Sequence, residues 1–243
     1  MLCVAQAATV VLPSRPATGR SFSALVVLLP AALLALGVLI LDLVSGGPRA
    51  LTLLATFGTP VLAGAGGLIA GQRRRWLWPP LAVGLWVAAW LSHGLFQEAA
   101  GVVLIAVACV AAASAIGRVA SASSISAGLV ILALLDVMLV WGTTSVQRSS
   151  NALEGVPLPH AAGAPLPSLQ QATFGGALMG WLDLLAPALL GVVVAGRAKL
   201  LAAAVTGIAA GLWGLLLLAT SEVAATVPVL AGLVAGRTVR PRD

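Results

Sequence analysis

The chain has 243 residues, 60% of them hydrophobic and 8% charged, with a formal net charge of +6 and a mean hydropathy of +1.08. This composition excludes an ordinary soluble domain, in which about a quarter of residues are charged. The basic residues are scattered at the ends of apolar runs, which excludes a nucleic-acid footprint, and Cys3 and Cys109 lack the spacing of a metal or redox pair.

Residues 1–20 are expected to form a short cytoplasmic tail. Their apolar run ends at Leu12, before Pro13 and Arg15, and no charged segment precedes it as in a cleaved signal. From there the chain predicts an all-α polytopic membrane protein, because a spanning helix needs about 20 mostly apolar residues. Eight runs qualify, at roughly 22–45, 51–71, 77–96, 99–117, 124–146, 172–196, 199–219 and 222–237. The alternating pattern of a barrel is absent, and an open sheet cannot satisfy its backbone in lipid. The runs divide into a four-helix half (21–121) and a second half (122–237), followed by a cytoplasmic tail at 238–243. Cys109 is expected as a small packing residue in the fourth helix. No internal repeat of the kind that builds many transporters is evident.

Basic residues set the orientation. With eight spans, eleven of the 13 fall on one side: Arg15, Arg20, Arg73, Arg74, Arg75, Arg118, Arg197, Lys199, Arg237, Arg240 and Arg242. Arg49 and Arg148 fall on the other. The rich side is then cytoplasmic, with both termini inside and the loop 147–171 outside. Arg73 to Arg75 beside Trp76 and Trp78 form an interfacial anchor. The external loop carries Pro157, Pro159, Pro165 and Pro167, which argues for an irregular connector. It could also add a strand to an unwound peptide. Richness in Ala, Gly and Arg with a single lysine points to a bacterial cytoplasmic membrane.

Asp136 and Asp183 lie in the middle of the fifth and sixth predicted helices. A carboxylate in the hydrocarbon core costs about 2.5–3.5 kcal/mol on insertion scales and normally marks a functional site. Each is about ten residues from the external end of its helix, or ~15 Å deep at ~1.5 Å per residue. Antiparallel neighbours would therefore bring the pair to one level. Paired carboxyls share a proton, so one can activate water while the other protonates a carbonyl oxygen, with no metal or cofactor. Alternatively, either Asp could bond a Ser or Thr, hold a cation or relay protons. Asp42 falls near the outer end of the first helix and is expected at the interface, and Glu98 and Glu222, at external helix ends, are expected to be solvated. His93 and His160 are external, without metal-ligand spacing.

Three pieces of sequence resemble the presenilin and signal peptide peptidase family of intramembrane aspartyl proteases. Leu135-Asp136, followed by Trp141-Gly142-Thr143, is similar to the family's Tyr-Asp and aromatic-Gly-Thr. Gly180-Trp181-Leu182-Asp183, with Pro187 four residues on, is similar to Gly-x-Gly-Asp-x-x-x-Pro. Pro228-Val229-Leu230 is similar to Pro-Ala-Leu. Leu182, Leu135 and Val229 depart from the family's Gly, Tyr and Ala, and eight helices are one fewer than the eukaryotic nine.

The resemblance covers about residues 124–237. It implies a presenilin-like bundle with Asp136 and Asp183 as the catalytic pair. Gly180, Leu182, Pro228, Val229 and Leu230 would form the wall around it. The substrates would be transmembrane or remnant signal-peptide helices, in the orientation of signal peptide peptidases. A proton- or cation-coupled transporter using the same carboxylates is the first rival, and an inactive presenilin-like scaffold the second. A prepilin-peptidase-like enzyme is disfavoured, because no lysine follows Asp183.

Overall fold

A computed structural model describes residues 1–13, 24–43, 46–69, 75–142, 151, 153, 155–158, 160–161, 164–218 and 223–238. Runs of Leu, Ala and Val with few charges form helices, because the helix satisfies its own backbone and leaves its faces largely apolar. In chain order these are α1 (Leu2–Val11), α2 (Ala24–Leu43), α3 (Gly47–Ile69), α4 (Trp78–Leu91), α5 (Leu95–Val119) and α6 (Ala122–Gly142). They continue as α7 (Trp181–Val193), α8 (Arg197–Gly214) and α9 (Val227–Thr238). A 3-10 turn, Arg75–Leu77, leads into α4, whose Pro79 sits in the first turn where no N–H is needed. The hydroxyl of Ser121 accepts the Ser124 N–H at 3.2 Å and caps the start of α6.

Each predicted span overlaps an observed helix. Among the described residues two helices, α5 with 25 residues and α6 with 21, are long and apolar enough to cross a membrane. The centre of the molecule is α5 against α7, where Leu104, Ile105, Leu184, Leu189 and Leu190 are fully buried. Cys109, expected as a packing residue, is also buried there, and its thiol reaches the Trp181 carbonyl at 3.5 Å. Helices α3 and α4 flank α5, α2 lies along α6, and α9 lies along α8.

Two segments differ from expectation. Residues 2–11 were expected within a tail, yet α1 is wedged against α7 and α8. Gly191 makes this possible: a Cβ there would meet the Val10 carbonyl oxygen at 2.1 Å, so only glycine admits the α1 backbone. Lys199 also donates to the Pro13 carbonyl.

The second correction is the helix expected over 172–196, which begins only at Trp181. Before it stand β3 (Gln171–Phe174) and β4 (Ala177–Gly180), an antiparallel hairpin pairing Gln171 with Gly180 and Phe174 with Ala177. Its turn is Gly175-Gly176 with φ of +59° and +83°, a conformation that β-carbons disfavour and that ends a helix. Glu98 accepts the Gly175 N–H at 2.7 Å in an exposed bond and ties this turn to α5. A shorter two-residue ladder, β1 (His160–Ala161) with β2 (Ala164–Pro165), lies in the Pro-rich connection. The expected anchors Arg73 and Arg74, the side chains of Asp42 and Arg75, and Arg148 and Glu222 lie outside the described residues.

Candidate functional site

Asp136 projects from α6, six residues before its end at Gly142. Its Oδ2 accepts two bonds from one residue, the Thr226 N–H at 3.1 Å and the Thr226 hydroxyl at 2.6 Å. Thr226 lies in the turn just before α9, 90 residues along the chain. Asp183 is the third residue of α7, and its Oδ2 accepts the Gly180 N–H at 2.8 Å. This is the return half of a capping box, and a carboxylate there suits the positive end of the helix dipole. Each aspartate is therefore oriented by backbone that a different element supplies.

Both aspartates line one cavity of about 1540 Å³. Its walls come from α1 (Cys3, Gln6), α2 (Leu33, Gly37), α3 (Thr59, Leu62), the hairpin (Gln171, Phe174, Met179) and the stretch from Val223 to Pro228. No Lys, Arg or His stands among the described lining residues, so the two acids have no basic side chain beside them there. Gln170 also lines the cavity, and its buried Oε1 has no hydrogen-bond partner among the described residues. Among those residues no group of three or more His, Cys, Asp or Glu could hold a metal ion.

The predicted wall residues separate. Gly180, Leu182 and Pro228 line the cavity with the two aspartates. Val229 does not: it is 1% exposed and faces the core, and Leu230 packs half-buried against that core. Successive helical residues point about 100° apart, so Pro228 toward the cavity turns Val229 away from it. Leu182 is half-buried beside Asp183 and lines the same cavity.

Sequence reasoning missed Thr226 and Gln6. Gln6 is 1% exposed, and its amide donates at 3.2 Å to both the Asp183 and the Ala225 carbonyl oxygens. Its signal was visible as the one amide in the apolar run Leu2–Leu12. Trp213, also lining the cavity, donates to the Ala224 carbonyl at 3.0 Å and packs on Trp141 with ring centroids 6.0 Å apart. Comparison of the chain with protein-family models, with curated proteins and with solved structures finds no match.

Proposed function

We propose that the chain is an intramembrane aspartyl protease, a diverged relative of the presenilin and signal peptide peptidase enzymes, that hydrolyses peptide bonds of transmembrane or remnant signal-peptide helices. One observation carries it: Asp136 and Asp183, on helices consecutive but for the hairpin, open into one large cavity without a basic side chain among its described lining. Two paired carboxyls hold a proton between them. One takes a proton from water, whose oxygen adds to the scissile carbonyl carbon, while the other gives its proton to the carbonyl oxygen. The tetrahedral diol then collapses: the protonated carboxyl gives its proton to the amide nitrogen, the other carboxylate takes one from a diol hydroxyl, the C–N bond breaks, and the pair again holds one shared proton. At about 30 Å³ per water the cavity has room for solvent and a peptide together.

The hairpin supports an extended substrate. It lines the cavity next to Asp183, and an unwound peptide laid along a strand would bring its backbone to the carboxyls by strand addition. The membrane setting is supported by apolar side chains on outer faces, such as Leu54, Val61, Leu200, Ile208 and Leu212, each at least 64% exposed. Soluble proteins rarely leave such patches open. In this reading the eight apolar segments form a presenilin-like bundle in a bacterial cytoplasmic membrane, with both termini inside and residues 147–171 outside.

The test is cleavage of a mass-resolved panel of transmembrane peptides by purified protein in detergent, beside Asp136→Ala and Asp183→Ala. Cleavage by the wild type and none by either variant is expected. A folded wild type that cuts nothing on a broad panel, yet carries ions in liposomes through the same aspartates, would sink the protease reading.

A further inference from the structure

We propose that Gln6 is a positioning residue of the dyad: its one carboxamide closes two backbone carbonyls that Pro187 and Pro228 leave without a chain donor. It thereby ties the Asp183 end of α7 to the turn that holds Asp136. The inference rests on the protease reading for its catalytic meaning, and on geometry alone for the clamp.

In a helix the carbonyl of residue i takes the N–H of residue i+4. For Asp183 that residue is Pro187, which lies inside α7 and has no N–H. The carbonyl of the proposed catalytic residue is therefore deprived of its helical partner by the chain's own sequence. At the turn before α9 the pattern repeats. The Val227 N–H bonds the Ala224 carbonyl at 3.4 Å, and the Val229 N–H bonds the Thr226 carbonyl at 3.1 Å. The donor that would serve Ala225 in the same i+3 register is residue 228, again a proline.

Gln6 meets both vacancies. Its Nε2 carries two hydrogens and stands 3.2 Å from each oxygen. Ala225 is covalently joined to Thr226, whose N–H and hydroxyl hold Asp136. A continuous path of bonds thus runs from Asp183 through Gln6 to Asp136. The glycine at 191 and the Lys199 bond to Pro13 seat α1 at the depth this requires.

The experiment uses the full chain in detergent and reads two quantities. Gln6→Met keeps length and apolar bulk but removes both donors. Expected are a kcat about tenfold lower with KM within about twofold, since misplacement of catalytic groups acts on the chemical step. Faster amide hydrogen exchange is expected over residues 223–227, relative to both wild type and Leu2→Ala, a buried change on the same helix. In a Pro187→Ala background, where residue 187 regains its N–H, Gln6→Met is expected to lose severalfold less, a coupling that double-mutant analysis isolates.

Unchanged kcat and exchange in Gln6→Met would overturn the proposal. So would equal losses with and without Pro187. Should Gln6→Met fail to fold, Gln6→Glu, which can donate at most one such bond, is read the same way, and wild-type exchange in that variant overturns the clamp. Exchange is measured whether or not the protein cleaves, so absent proteolysis strikes the protease reading while exchange still decides Gln6.

Discussion

Thr226 carries more of the site than its chemistry suggests, because its backbone and its hydroxyl converge on one oxygen of Asp136. A hydrogen bond to a charged group contributes about 1.5–3 kcal/mol. Thr226→Val is therefore expected to lower kcat by roughly ten- to a hundredfold, with Thr226→Ser close to wild type, as steady-state cleavage would measure. If Thr226→Val cleaves like wild type, the hydroxyl has no part in orienting Asp136. Leu182 poses the opposite question, since it adds bulk beside Asp183 where the related motif has glycine. Leu182→Gly is expected to broaden the range of peptides cut; an unchanged product spectrum would show that Leu182 is not a specificity wall. The aspartates were legible in the sequence because charge in an apolar run is costly and conspicuous. Thr226 was not, and Gln6 only as a lone amide without a role, because polar side chains of ordinary type gain meaning only from partners 90 to 219 residues away.

At the scale of elements, hydropathy found the apolar runs but not their conformation. Residues 172–180 fall within the helix expected over 172–196, whereas the Gly175-Gly176 pair turns a hairpin there. Each left-handed residue with a β-carbon costs roughly 1–2 kcal/mol. Gly176→Val is thus expected to loosen the hairpin and raise KM severalfold with little change in melting temperature, which kinetics and thermal unfolding together would separate. A KM equal to wild type would remove the hairpin from substrate binding. Helix α1 was hidden for a different reason: ten residues are too few to span a bilayer, and its place depends on a backbone contact at Gly191. Gly191→Ala drives a methyl into the Val10 carbonyl, and overpacking of this kind costs about 1–3 kcal/mol. A lower melting temperature in detergent is expected, and none would mean that α1 is not held there.

The whole molecule joins two sets of claims that can be tested apart. A shared-proton pair predicts a bell-shaped dependence of kcat/KM on pH whose two limbs belong to the pair and not to either residue. A flat profile across the neutral range would be inconsistent with it. Orientation is independent of chemistry: His160→Cys should react with an impermeant maleimide from outside intact cells and Arg197→Cys should not, after Cys3 and Cys109 are removed. The reverse labelling would invert the expected preference for substrate direction. Eight apolar runs and the charge asymmetry were readable from composition, since they reflect length and sign alone. How α2, α3 and the hairpin enclose one cavity was not, because that depends on packing between runs of nearly identical character.

The Gln6 bonds span 177 and 219 residues of chain. During synthesis the first helix leaves the ribosome long before either partner exists, and its second bond must wait until residue 225 has emerged. The bridge from Gln6 is therefore completed only after residue 225 has been made. A truncated or stalled product would carry Asp136, and even Asp183, without the bridge that brings them into register. Nascent chains arrested before residue 225 should show faster amide exchange over residues 2–11 than released chains, so that, on the protease reading, synthesis past residue 225 becomes the licence for activity.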